Sequence, residues 1–162
     1  MKTLRQTLIA TLLVVALTCG CSVIHSRAAS PSLNAFVLGT WTGESICVGN
    51  RPACKNEVVV YRFEEIAGKP AAVTMLADKI IQGKREPMGK LECQYDESKG
   101  TVTCEFTIRQ THGLWQYQIS GDTMEGTLVL LPNKEVGRRV KVKRVDDKEL
   151  PAAPDRKDYD GD

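Results

Sequence analysis

The sequence lacks the residue patterns on which most enzyme sites are built. Its 162 residues include only two histidines, and no Gly-x-Ser-x-Gly turn or phosphate-binding glycine loop occurs. His25 precedes the β-rich part of the chain, and His112 lies in a turn-like Thr-His-Gly stretch that favours a solvated side chain. Neighbouring acids such as Glu64 and Glu65 point to opposite sides of a strand, so they cannot share acid–base work. We therefore expect no enzyme activity and no cofactor.

The sequence also lacks a large excess of either positive or negative charge. The chain has 22 Lys and Arg residues against 20 Asp and Glu residues, and Lys2 and Arg5 lie in the apolar leader. The remainder is balanced, which removes bulk charge as a reason to expect nucleic acid as a partner. Six basic residues cluster between Lys134 and Arg144, and acidic residues dominate from Asp146 onward. A solvated surface is the favoured interpretation of both features, and a basic stripe for an anionic surface is the alternative.

No hydrophobic run is long enough to span a membrane. The apolar stretch at 7–18 (TLIATLLVVALT) is much shorter than the roughly 20 residues that a spanning helix needs. Because it follows a short basic start, it instead matches the core of a signal peptide. We therefore expect the protein to be exported across the cytoplasmic membrane.

The residues after this stretch resemble the lipobox of bacterial lipoproteins. In 17–21 (LTCGC) the small Gly20 precedes Cys21, although Thr18 stands where that family usually has leucine. The resemblance implies cleavage before Cys21, lipid attachment to it, and anchoring in the cell envelope, periplasmic or outer-membrane where two membranes exist. Cleavage after Ala28, which would release a soluble secreted protein, is the alternative.

Four cysteines follow the leader, and an even number in an exported chain indicates disulfides. Cys47 and Cys54 flank a Gly-Asn-Arg-Pro turn. Cys93 and Cys104 lie directly opposite each other if a hairpin turn is centred at 98–99, which brings them within disulfide reach. We predict these two pairs. A metal site is less favoured, because the cysteines lack close histidine partners and a Cys-x-x-Cys pair.

Short β-prone runs separated by turn residues fill the chain from 36 to 145, and these residues form the predicted domain. The predicted strands are 37–48, 55–66, 71–81, 90–96, 101–110, 114–120, 123–131 and 137–145. Since short connections join antiparallel neighbours, we predict an all-β fold, an eight-stranded antiparallel up-and-down barrel. A two-sheet sandwich is the alternative. Around this domain we expect a signal peptide at 1–20, a flexible tether at 21–35 and an acidic disordered tail at 146–162.

Bulky side chains on the apolar faces of these strands define the candidate barrel interior. They are Phe106, Trp115, Tyr117, Met124 and Leu128. Such a set is more often a packed core than a pocket, although an eight-stranded barrel can also hold one small ligand. The longest predicted internal loop, 82–89 (QGKREPMG), is a candidate mouth or lid.

The start of the first strand, 39–41 (GTW), resembles the G-x-W opening of the lipocalins and the wider calycin superfamily. In that family the tryptophan closes one barrel end beneath a basic residue of the last strand. Arg144 shares the inward parity of Val140 and Val142, so the resemblance implies that Arg144 covers Trp41. Together with the lipobox resemblance, it implies a membrane-anchored lipocalin-like barrel that binds a small apolar or amphipathic molecule. The alternatives are an interaction or inhibitor module acting on an unknown protein partner, and a structural envelope protein without a ligand.

Overall fold

Alternating apolar and polar residues form eight antiparallel strands within residues 36–160, the part of the chain that the computed structural model describes. Each strand pairs with the next along the chain and the last pairs with the first, so the predicted closed up-and-down barrel is confirmed. The strands are β1 (Gly39–Cys47), β2 (Glu57–Glu65), β3 (Ala72–Ile81), β4 (Lys84–Asp96), β5 (Thr101–Ile108), β6 (Thr111–Ser120), β7 (Thr123–Leu131) and β8 (Glu135–Val145). The expected signal peptide (1–20), the lipidated Cys21 and the tether (21–35) lie outside the described residues.

The boundaries of the predicted strands are close to those observed, except at β4 and the β5–β6 turn. That turn consists of Arg109 and Gln110, and Arg109 adopts a positive φ of 54°. His112 therefore lies within β6 and not in a solvated turn, so its predicted placement is wrong. Its Nε2 lies 2.6 Å from Oε1 of Glu105, its neighbour on the outer face of β5.

The predicted loop at 82–89 is wrong. β3 ends at Ile81 and β4 begins at Lys84, so only two residues join these strands. Gln82 and Gly83 have positive φ values of 50° and 75°, as a tight hairpin turn requires. Three charged residues, Lys84, Arg85 and Glu86, follow this turn, and their composition is more typical of a loop than of the start of β4. A bulge absorbs its irregular pattern, since Ala77 pairs with Gly89 and the next residue of β3 pairs with Pro87.

Inward-facing side chains fill most of the barrel. Of the predicted interior set, Tyr117 and Met124 are fully buried in the main core, and Leu128 is buried as well. Trp115 packs against this core while remaining partly exposed, and Phe106 is also only half-buried. The two aromatic residues that are not fully buried lie in the same region of the barrel wall, where the candidate site is found.

One end of the barrel is closed by Trp41, which is fully buried. The guanidinium carbon of Arg144 lies 4.3 Å from the centre of the tryptophan ring, so the predicted pair is present. The indole Nε1 donates to the carbonyl oxygen of Val37 at 2.9 Å. Gly39 leads into the strand with a φ of 107°, a conformation that disfavours any side chain. Trp41 and Arg144 therefore close the barrel at the end where β1 begins and β8 ends.

The expected disordered tail is wrong for residues 146–160, which are ordered against the outer wall of the barrel. Two short 3₁₀ turns, Asp147–Glu149 and Arg156–Tyr159, form there, and Tyr159 is buried. The Tyr159 hydroxyl donates to Oδ1 of Asp78 at 2.5 Å, and Arg85 Nη1 donates to Oδ1 of Asp147 at 2.8 Å. The acidic composition suggested disorder, but two of these acids, Asp147 and Asp160, pair with Arg85 and Lys90 of the barrel.

Candidate functional site

The wall between β4 and β5 is only half closed. These strands pair from Cys93 opposite Cys104 to Asp96 opposite Thr101, and their register stops there. Beyond that point β4 continues over 84–92 and β5 over 105–108 without pairing to each other. These two segments are here called the β4–β5 split. They lie toward the barrel end opposite Trp41, here called the mouth end.

A disulfide joins the strands at the point where they diverge. Cys93 and Cys104 are bonded, with their Cα atoms 4.2 Å apart, and they form the last registered pair before the split. The second disulfide joins Cys47 to Cys54 in the β1–β2 connection at the mouth end. Both predicted pairs are thus confirmed. The Cys93–Cys104 bond limits how far along the barrel the split can extend.

An apolar cavity of about 170 Å³ lies at the split. Side chains from five strands line it, chiefly Tyr61, Met75, Leu91, Phe106, Ile108 and Trp115. An apolar cavity of about 150 Å³ is large enough to hold benzene, so this one fits a single ring or a short aliphatic chain. The predicted interior residues therefore divide into two groups, since Phe106 and Trp115 line the cavity while Tyr117, Met124 and Leu128 do not.

Ile108 and Met88 form an exposed apolar rim at this cavity. Ile108 continues the inward alternation of β5, yet it is 59% exposed because no residue of β4 pairs with this part of the strand. Met88 is 40% exposed from the other side of the split. Sequence reasoning did not identify Tyr61 and Met75, and it placed Met88 in a candidate mouth or lid at 82–89 and not on a strand. A correct placement of the β3–β4 turn at 82–83 would have extended β4 and brought Met88 to the wall.

Arg138 obstructs the alternative route through the mouth end. Its Nε donates to Oγ of Ser45 at 2.8 Å, and its Nη2 donates to the Lys55 carbonyl oxygen at 2.8 Å. Nη2 also contacts Oε2 of Glu57 at 2.7 Å, which forms a partly buried ion pair. Because these contacts tie β8 to β1 and β2 across the barrel end, the side opening at the split is the more direct access to the cavity.

Two tyrosines form a polar spot in the otherwise apolar interior. The ring of Tyr117 stacks on Trp115 with centroids 5.6 Å apart, and it meets the ring of Tyr61 edge-on at 5.9 Å. The Tyr117 hydroxyl is buried and makes no hydrogen bond of acceptable geometry. Burial raises the pKa of Tyr61 to about 12 and the pKa of Tyr117 well above its usual value. Both hydroxyls therefore keep their protons and can donate.

These raised pKa values predict a loss of stability at alkaline pH. An unfolded tyrosine ionises near pH 10, so the stability that the raised values provide is complete below about pH 10 and falls as the pH rises toward 12. We expect the urea midpoint to fall over that range, and tyrosinate absorbance to appear mainly on unfolding. Normal titration of every tyrosine near pH 10 in the folded protein would contradict this prediction.

A larger hollow of about 710 Å³ lies on the outer wall across β5–β8 and β1. Its lining includes Thr101, Thr103, Gln116 and Gln118, which are outward-facing polar side chains. At its edge Lys141 Nζ contacts Oε1 of Glu125 at 2.7 Å in an exposed ion pair. This hollow has the character of a solvated sheet surface, so the cavity at the split is the candidate site.

The comparisons with known proteins add no family assignment. No protein-family model matches the sequence, and no curated protein shows significant similarity to it. Within residues 36–160, no group of three or more His, Cys, Asp or Glu side chains is arranged to hold a metal ion. The same residues contain no helix that is long and apolar enough to cross a membrane. The candidate site is therefore defined by its geometry.

Proposed function

We propose that the protein is an exported, membrane-anchored barrel that binds a small apolar molecule, or the apolar end of an amphipathic one. The observation that carries the proposal is the apolar cavity at the β4–β5 split, which opens to solvent beside Ile108. Ligand sites are typically concave and mostly apolar with a few polar groups, and this cavity has that character on a small scale. A lipocalin-like role agrees with the closed barrel and with the pairing of Trp41 and Arg144.

Filling the cavity tests this function. Ala77 lines the cavity, so Ala77→Leu places additional carbon atoms in space that a ligand would occupy. We expect native mass spectrometry of the exported protein to show a small molecule released on denaturation, and this mass to be lost in Ala77→Leu. Ala53→Leu, in the exposed disulfide loop, is the matched control and keeps the ligand. A wild-type protein that stays empty and also ignores added benzene-sized compounds would refute the proposal.

The membrane anchor is the second part of the proposal. Two disulfides are typical of a protein that folds in an oxidising compartment, which supports export. We expect Cys21→Ala to remove the lipid mass from the mature N-terminus and to release the protein from the membrane fraction. Cys19→Ala is the control, because Cys19 leaves with the signal peptide. Membrane retention of both variants would point to another anchor, and release of both variants together with the wild type would point to simple secretion.

A second candidate function, an interaction module, is favoured by the free edge of β5. On the facing strand, Pro87 and the bulge at Met88 hinder strand pairing, which is a common protection of sheet edges. Over 105–108, β5 carries neither device, so an extended peptide could add there as a further strand. Peptides selected from a displayed library should then protect the backbone amides of 105–108 from hydrogen exchange, and their failure to do so would reject this candidate.

A further inference from the structure

Tyr61 and Tyr117 place two buried aromatic rings with hydroxyl groups beside the cavity, and their ring centroids lie 5.9 Å apart in an edge-on contact. Burial raises the pKa of Tyr61, and the Tyr117 and Ser45 hydroxyls act against this rise. Arg138, which can only donate, already occupies an acceptor position on the Ser45 oxygen at 2.8 Å. Ser45, Arg138 and the two tyrosines form one cluster, and the Tyr117 proton has no acceptor in it.

The tyrosine pair lies on the cavity side of this cluster. Ser45 is tied to Arg138 at the mouth end, whereas Tyr61 lines the cavity and Tyr117 lies directly behind it against Trp115. The buried Tyr117 hydroxyl makes no hydrogen bond of acceptable geometry, which is an independent sign that the cluster is incomplete. A buried donor without a partner is costly, so an occupant that offers an acceptor here gains over one that does not.

The charges around the cavity restrict what that acceptor can be. The cation of the cluster, Arg138, is already paired with Glu57 at 2.7 Å. Among the described residues, Lys90 is the cation that lines the cavity, and its ammonium group is paired with Asp160 on the outer wall. A carboxylate in the cavity would thus be buried without a free counter-charge, which disfavours it. A neutral oxygen carries no such cost.

We propose that the cavity selects small apolar molecules that carry one neutral hydrogen-bond acceptor, such as a ketone or ester oxygen, which accepts the free proton of the Tyr61–Tyr117 pair. This inference rests on the proposed function, because it names the chemical class of ligand for the same cavity. The apolar part of the ligand contacts Met75, Leu91 and Phe106, and its oxygen points inward to the tyrosines.

Three probes of nearly the same shape test this class: acetophenone, isopropylbenzene and benzoate. We expect titration calorimetry on the exported protein to show acetophenone binding about tenfold tighter than isopropylbenzene, as one satisfied buried hydrogen bond implies. Benzoate is expected to bind more weakly than acetophenone. In Tyr61→Phe the preference for acetophenone should disappear while isopropylbenzene binds as before. Tyr95→Phe, which removes a tyrosine hydroxyl outside the cavity lining, should retain the preference.

The infrared carbonyl band of bound acetophenone gives a second measurement that a purely structural role of Tyr61 would not affect. We expect the band to shift to lower frequency than in hexane, and to return toward the hexane value in Tyr61→Phe or Tyr117→Phe. Equal affinity for acetophenone and isopropylbenzene, or tighter binding of benzoate, would overturn this inference and leave the cavity proposal intact. Absence of binding by all three probes would overturn both.

Discussion

Replacing Asp78 with alanine is expected to lower the free energy of unfolding by about 3–5 kcal/mol. The side chains of Asp78 and Arg85 are both fully buried, and Nε and Nη2 of the arginine lie 2.7 and 2.6 Å from Oδ2 of the aspartate. Removal of the carboxylate leaves a buried guanidinium with one partner, Asp147, which is itself 41% exposed. The loss also removes the acceptor of Tyr159, which helps to hold the C-terminal segment on the barrel.

Urea unfolding followed by circular dichroism measures this effect, and two comparisons define its cause. The double variant Asp78→Leu with Arg85→Met should be more stable than Asp78→Ala, because it removes both charges together. Lys69→Ala serves as a surface control, since its ion pair with Glu92 is about half exposed and is worth no more than about 1 kcal/mol. An Asp78→Ala protein as stable as the Lys69→Ala control would show that the buried pair is not important.

Trp41→Ala is expected to cost a similar amount, about 3–5 kcal/mol, because it empties the closed end of the barrel. Trp41 is fully buried, its indole donates to Val37, and its ring lies under Arg144. Trp41→Phe keeps a ring beneath the guanidinium but loses the indole donor, so it should cost less than the alanine variant. Guanidinium unfolding of both variants gives the comparison.

Trp115→Ala provides a matched control for this prediction. Trp115 is also a large aromatic residue of the barrel wall, but it is only partly buried and lines the cavity. Its removal enlarges a space that is already open to solvent, and we therefore expect a smaller loss than for Trp41→Ala. A larger loss from Trp115→Ala would show that packing at the split contributes more to the free energy of unfolding than packing at the closed end.

Much of the barrel could be predicted from local sequence, because strand alternation and short turns are local properties. The hairpin register that placed Cys93 opposite Cys104 is an example, since both sides of it lie within one short segment. The failures at β4 and at the C-terminal segment share another cause. The sequence around Arg85 is typical of a loop. The structure pairs this arginine with Asp78 and Asp147, and Asp147 lies far away in the sequence. Propensity cannot show that such a charge is buried.

The candidate site was only partly predictable for a related reason. Alternation placed Phe106 and Trp115 on the inner face, and both line the cavity. Alternation does not show, however, whether a strand has a neighbour on each side. The split exists because the β4–β5 register ends at the disulfide, so the exposure of Ile108 followed from pairing and not from its own sequence pattern. Tyr61 lines the cavity because the closed barrel brings β2 opposite β6, which alternation within one strand does not show.

The two disulfides also determine how the barrel responds to mechanical tension. One bridges the β1–β2 connection and the other joins β4 to β5, while the seam between β1 and β8 is held by noncovalent contacts alone. A pull on the two chain ends first detaches the C-terminal segment, 146–160, from the outer wall, and it then loads that seam, where Thr40 pairs with Val145. Tension on β1 would therefore separate it from β8 and expose Trp41, while the two cross-linked segments resist extension until their disulfides are reduced.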